Sequence, residues 1–456
     1  MTDAPFPSTG ADSGISSDEG LLRLVGGTAA AALMALVVSI AYAATASRKA
    51  VASSKGWVLF FLVTKPLIDL TWRWDFLKFS EQRVNFQAVI GVLIVGFASL
   101  RAWRLRDELK YVRPAVLFLL AATISVIYSP SSWALNELIR LYSGVAFFFV
   151  AGEALRKQEN FDRFAFAFVA VVSVPVFLAF LQVGGLIPFD YWDWIDGQEI
   201  GRATGTYNMP LSLVYLFIYS IPISLYLLER GGGWLHRISL VASFVALGFT
   251  FHRTAFIAII LQLILWLLLK RKTVAILSLF AIGCLAAVLY AGPIRILYAP
   301  LTSAAQGDVD VSSDEFLRGR GLIWVTFLAD YAQGNPVQWI IGRGGSVLGS
   351  SFLLDEMGEN DPHNDFVRLL HDYGILGVLL YVILLGRLAV IGWKTLHLSP
   401  FSNAVARMFL VSLPAVLILS FTGEPSRYPS AIMYLMSLGS LMCFPAHDQP
   451  SDRAFP

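Results

Sequence analysis

The chain is poor in charge and nearly devoid of cysteine. Of its 456 residues only 14% are Asp, Glu, Lys or Arg while 56% are hydrophobic, and the mean hydropathy is +0.65. That balance excludes an ordinary soluble enzyme. Two cysteines, Cys284 and Cys443, both in apolar runs, exclude a disulfide framework and read as small core residues. Six histidines spread along the chain form no compact ligand set with them, so no metal and no cofactor is expected. Lys and Arg are scattered through polar breaks and not gathered into a patch with interleaved aromatics, which argues against nucleic acid as a partner. No internal repeat is visible.

What remains is a series of apolar runs long enough to cross about 30 Å of hydrocarbon, separated by short polar breaks. Residues 1–19 lack Lys and Arg and read as a disordered acidic tail. A first span covers 21–46; its Ala-Tyr-Ala-Ala-Thr-Ala-Ser end resembles a cleavage site, but the basic n-region of a signal peptide is missing. Further spans are expected near 56–72, 86–100, 114–128, 141–155, 164–184, 211–228, 238–251, 254–269, 273–291, 373–392, 408–421 and 430–444. With Arg48, Lys49 and Lys55 on the cytoplasmic side, alternate loops then collect Arg101, Arg104, Arg106, Lys110 and Arg113; Arg156, Lys157 and Arg163; Arg230 and Arg237; and Lys270, Arg271 and Lys272. This is the positive-inside pattern, and removing the first span would invert it. The reading is an all-α polytopic membrane protein of about 12–13 transmembrane helices. Its parts are a tail at 1–19, membrane helices over 20–291, a long exported loop at 292–372, membrane helices over 373–444 and a cytoplasmic tail at 445–456.

The long loop ends in Asp-Pro-His-Asn-Asp-Phe-Val-Arg-Leu-Leu-His-Asp-Tyr-Gly-Ile-Leu-Gly, residues 361–377. Asp361 suits an N-cap and Pro362 a first helical position, which predicts a helix with His363 in its first turn. At about 100° per residue Asp361, Asp365, Arg368 and Asp372 form a charged stripe, with Phe366, Val367, Leu370 and His363 opposite. His363 thus faces inward, as a core histidine or a functional one. His371 lies toward the charged stripe and reads as solvated or structural.

Exported arginines are the exceptions to the positive-inside rule. Arg202, in Gly-Arg-Ala-Thr-Gly-Thr-Tyr, precedes the span at 211. Arg253 sits with His252 at a hairpin tip. Each alone reads equally as an interfacial anchor or salt-bridge partner; two of them on the face that holds His363 form a candidate site. Arg318, Arg320, Arg343 and Arg427 are second-tier, as is Asn364. Gly342, Gly344 and Gly345 around Arg343 would let backbone approach an anion, a weak signal by itself. Lys65 and Asp69, at i and i+4 within one span, are expected to neutralise each other.

His363, Asn364, nine residues, Gly374, two residues and Gly377 together resemble the signature of the O-antigen ligase and O-antigen polymerase superfamily of bacterial membrane glycosyltransferases. Gly-Arg-Gly-Leu-Ile-Trp at 319–324 and Gly-Arg-Gly-Gly at 342–345 resemble its loop segments, and the resemblance covers roughly 200–395. It implies a GT-C-like body in the bacterial inner membrane, with a partly helical periplasmic loop over the active site. It further implies that Arg202 and Arg253 bind the diphosphate of an undecaprenyl-diphosphate-linked glycan. His363 would assist the acceptor hydroxyl in a metal-independent, inverting transfer.

Such chemistry suits these residue types. Guanidinium forks neutralise a departing diphosphate without a metal, and an imidazole accepts a hydroxyl proton near neutral pH. The preferred expectation is a ligase that moves glycan onto a lipid A core or similar acceptor, with a polymerase of lipid-linked repeat units as the alternative. Membrane lipids and polysaccharide export machinery are further expected partners. A lipid-linked glycan flippase, from another functional class, predicts polar residues along the midplane of broken helices instead.

Overall fold

In the computed structural model, the residues described are 54–69, 75–79, 82–85, 91–96, 98–99, 109–130, 132–195, 198–207, 209–272, 320–345 and 362–443. The expected tail at 1–19, the spans at 21–46 and 273–291, the loop 292–319 with Arg318, Asp361, Cys284 and the tail at 445–456 lie outside them.

Described helices follow the apolar runs closely. They are α1 (Ser54–Ile68), α2 (Leu109–Tyr128), α3 (Ser132–Leu155), α4 (Gln158–Val183), α5 (Pro210–Glu229), α6 (Trp234–Phe249), α7 (Arg253–Leu269), α8 (Arg320–Ala332), α9 (Pro336–Ile341), α10 (Asp365–Thr395), α11 (Pro400–Ser420) and α12 (Pro429–Cys443). Among the described residues five helices are long and apolar enough to span a membrane, those of α3, α4, α5, α10 and α11; α1, α2, α6, α7 and α12 hold shorter apolar helices. The protein is an all-α, polytopic membrane protein.

Two β-hairpins were not anticipated from hydropathy: β1 (Asp75–Phe79) with β2 (Gln82–Asn85), and β3 (Trp192–Ile195) with β4 (Gln198–Gly201). Both lie between helices, and β4 leads straight into Arg202.

The core is continuous across the bundle. Helix α12 lies along α3, α11 along α7, α10 against α2 and α1 against α4. Small residues permit the close approaches: a Cβ on Gly144 would touch Ile432, and one on Gly439 would come 3.2 Å from Leu388. Several polar side chains within the spans find partners across helices, where internal groups must replace water. Gln262 donates to the Ile218 carbonyl at 2.6 Å and to Ser412 at 3.2 Å, and Tyr434 donates to the Leu62 carbonyl at 2.9 Å. Lys65 and Asp69 pair with each other, as their spacing predicts. Exposed Leu, Ile and Val side chains lie on the outer faces of α2, α6, α7 and α10, where lipid is the natural solvent.

The 361–377 stretch differs from its sequence reading in three respects. The helix begins at Asp365, not at Pro362, because Asn364 is the N-cap: its side-chain oxygen accepts from the N–H groups of Phe366 at 3.0 Å and Val367 at 3.1 Å. His363 therefore precedes the helix, with φ of 47°, and is half-buried. The helix also runs on into the span at 373–392, broken only at Gly374, where φ is 66°. Finally, the charged stripe is not solvated, for Asp365, Arg368 and Asp372 are all buried.

Candidate active site

Three polar constructions meet around the start of α10. The first is a buried ionic cluster. Arg368 lies 3.4 Å from Asp365, 3.6 Å from Asp372, 3.7 Å from Glu137 and 3.8 Å from Glu424, and it donates to Ser426. Asp365 also accepts from the Ser426 N–H at 3.1 Å. Arg427 bridges Glu137 at 3.3 Å and Glu424 at 3.4 Å. Acids from α3, α10 and the 424–427 turn thus surround one guanidinium, each within 3.8 Å of it. Arg427 belongs to this cluster.

The second construction docks the 342–345 loop on the kink of α10. Arg343 N–H donates to the His371 carbonyl and Gly344 N–H to the Asp372 carbonyl, both at 2.9 Å. These are carbonyls that the break at Gly374 removes from the helical ladder. The Arg343 guanidinium grips both oxygens of Asp330 at 2.9 and 2.8 Å, and His371 Nε2 meets the same carboxylate at 2.8 Å. Asp330, on α8, is held below the usual carboxylate range, first by its hydrogen bond to His371 and then, against desolvation, by Arg343. His371 is accordingly structural and buried, the second of its two sequence readings and not the solvated one. The glycines at 342–345 bring this loop against protein backbone: a Cβ on Gly342 would fall 2.2 Å from the Asp372 carbonyl oxygen, and one on Gly344 would fall 2.5 Å from that of Ser129.

The third gathers the half-buried cations. After β4, Arg202 N–H donates to the Tyr191 carbonyl at 3.0 Å, and Ala203 N–H donates to the Phe249 carbonyl at 3.0 Å. Gln182 accepts from the Thr204 and Gly205 N–H groups, each at 3.0 Å, clamping the Gly-containing turn onto α4. So fixed, Arg202 reaches the α6–α7 turn: its Nε donates to the Thr250 carbonyl at 2.8 Å, and its guanidinium lies 5.5 Å from the Tyr191 ring centre. The same turn carries His252 and Arg253.

Across from it, Thr254 meets Thr422 at 2.8 Å, and Arg320 at the start of α8 donates to the Thr422 carbonyl at 3.3 Å. One turn along α8, Trp324 donates its indole N–H to the Pro362 carbonyl at 2.7 Å, fixing the backbone just before His363. Phe366 then packs on Phe421 with ring centres 5.2 Å apart.

His252 reports the convergence electrically. Desolvation, followed by the charges of Arg202, Arg320 and His363, pushes its imidazole down to about 3, so it is neutral at ordinary pH. Arg202, His252, Arg253, Arg320 and His363 are all half-buried, exposed enough to meet a ligand. The structure thus brings Arg202, Arg253, Arg320 and His363 around one turn. Arg343 is committed to Asp330, Arg427 to the ionic cluster and the Asn364 oxygen to the helix cap.

Sequence reasoning missed Thr250, Thr254 and Thr422, which hold the turn in place; lone threonines near span ends carry no signal before the helices are packed. It also left His252 without a role, although it stands beside Arg253.

The class is thus an all-α polytopic membrane protein with a cationic, histidine-bearing site at one end of its helices. Residues 238–382 match the family model described as O-antigen ligase, and the match supports membership of the O-antigen ligase and polymerase superfamily. That range contains Arg253, Arg320, Arg343, His363 and Asn364, while Arg202 and Arg427 fall outside it. No curated protein matches the chain.

Proposed function

We propose that this protein is a ligase-type glycosyltransferase of the inner membrane, transferring glycan from undecaprenyl diphosphate to a lipid A core or similar acceptor hydroxyl on the periplasmic side. The observation that carries the reading is the approach of Arg202, Arg320 and His363 to one turn, His252–Arg253, from segments distant in the chain. Arg202 and Arg253 neutralise the donor diphosphate, with Arg320 as a further cation. His363 takes the proton of the acceptor hydroxyl as its oxygen attacks the anomeric carbon. The bond from that carbon to the phosphate oxygen breaks, its electron pair leaves on the diphosphate, and configuration inverts. No step requires a metal, because guanidinium groups offset the negative charge that develops on the leaving diphosphate in the transition state.

The test is the glycan profile of a strain lacking the protein, complemented with wild type or with His363→Ala. Full-length glycan retained on the lipid carrier is the expected phenotype. Single repeat units without long chains would identify the polymerase instead. Restoration of the wild-type profile by His363→Ala would remove His363 as the base.

A further inference from the structure

We propose that His252 is a neutral hydrogen-bond donor to the diphosphate of the lipid-linked donor, held in register by Thr254 and Thr422. The inference rests on the reading of this site as the donor site.

Among the described residues, the ring has one side-chain hydrogen-bond partner. Thr254 Oγ1 lies 3.0 Å from His252 Nδ1 and 2.8 Å from Thr422 Oγ1, so Nδ1 is occupied by a hydroxyl relay and Nε2 is the ring nitrogen left to meet a ligand. The turn beneath it is bolted down twice: Thr250 Oγ1 faces the His252 N–H at 3.4 Å, and the Thr250 carbonyl is taken by Arg202. Phe251 adopts a left-handed φ of 49° to make the turn.

Each hydroxyl has a single proton, and a phosphate oxygen only accepts. The arrangement that satisfies every group runs from the Thr422 O–H to Thr254, from the Thr254 O–H to Nδ1, and from Nε2–H to the anion. Thr254 and Thr422 are positioning residues in this scheme, since they act through the imidazole.

Burial comes first in keeping the group neutral, followed by Arg202, Arg320 and His363, among which a further full charge is disfavoured. The same neighbours make His252 a poor proton acceptor, which separates its role from that of His363. A neutral donor adds direction to diphosphate binding without adding a further full charge beside Arg202 and Arg320.

The experiment measures binding of undecaprenyl diphosphate to the full-length protein in lipid nanodiscs, with a melting curve for each variant. His252→Ala is expected to weaken binding about tenfold, the scale of one hydrogen bond to a charged group. His252→Gln, whose amide nitrogen reaches the position of Nε2, is expected within about threefold of wild type on the same scale. His252→Asn, which is too short, should resemble His252→Ala. Thr254→Val should bind more weakly, and Thr254→Ser should restore wild-type affinity. Wild-type affinity in His252→Ala, or a His252→Gln as weak as His252→Ala, would overturn the assignment. Arg202→Ala in the same assay separates the two levels. If it weakens binding while His252→Ala does not, only the role of His252 falls. If neither changes binding, the donor-site reading falls with it.

Discussion

The N–H of Gly344 donates to the carbonyl of Asp372 at 2.9 Å, and the hydroxyl of Ser125 donates to the same carbonyl at 2.6 Å. A loop and the end of α2 therefore satisfy a carbonyl on α10 that has lost its helical partner because the next residue but one, Gly374, turns left-handed. Backbone groups left unsatisfied inside a membrane protein cost several kcal/mol, so kink and loop must form together.

Gly374→Ala is expected to be severely destabilising. Its Cβ would stand 2.3 Å from the Ile340 carbonyl oxygen and 2.6 Å from Gly342 N, with φ already at 66°. Backbone strain alone is worth about 1–3 kcal/mol, and here the obstacle is backbone that cannot swing aside. Thermal melting in detergent and the yield of folded protein measure the loss. A Gly374→Ala protein that melts with wild type would show that the docking does not govern stability.

Asn364 tests whether the second motif residue caps or binds. If it caps, Asn364→Asp and Asn364→Ser stay near wild type in stability, while Asn364→Ala loses about 1 kcal/mol. Melting and transfer activity measured together distinguish the roles. A stable Asn364→Asp that transfers no glycan would give Asn364 a direct part in the site.

Removal of Arg368 leaves buried Asp365 and Asp372 without their guanidinium, while Glu137 and Glu424 keep Arg427. Arg368→Met should cost about 3–5 kcal/mol, the range for breaking a buried ion pair from one side. Arg368→Lys should not rescue it, because a single ammonium cannot address partners on several elements. Melting curves check both. Near-wild-type stability in Arg368→Met would mean that the cluster contributes to specificity of packing and not to stability.

Acid should destabilise the fold through His252. Its folded value of about 3 lies below the unfolded value of about 6.5. Its contribution is therefore fully present above the unfolded value and falls away as pH drops toward the folded one, because the unfolded chain binds the extra proton. Asp330, also lowered, acts in the same direction below the usual carboxylate range. Melting temperature plotted against pH should fall less steeply in His252→Gln than in wild type between about pH 6.5 and 4. Parallel curves would show that His252 titrates normally.

Hydropathy made most of the helices legible: the runs expected at 164–184, 211–228 and 254–269 lie almost wholly within α4, α5 and α7. Arg202, Arg253 and His363 could be singled out because charge on the exported side and the His-Asn spacing are local patterns. Three features were not readable, each for a physical reason. The stripe of Asp365, Arg368 and Asp372 looks solvated because its partners, Glu137, Glu424 and Ser426, lie on other elements. Asn364 competed with Asp361 for the cap, and both residue types suit that position. The glycines beside Arg343 carry the same composition whether they approach an anion or, as here, the Asp372 carbonyl.

The break at Gly374 also sets a depth. The 21 residues from Ile375 to Thr395 rise about 32 Å at about 1.5 Å each, close to the roughly 30 Å of hydrocarbon in a bilayer. Ile375, Leu379, Val382, Ile383, Val390 and Trp393 present that length outward. The glycine therefore works as a divider: the residues after it are long enough to cross one bilayer by themselves, and those before it, with His363 ahead of them, lie beyond that length. On the function proposed above, a lipid-borne phosphate at the membrane surface then meets the histidine without leaving the membrane plane.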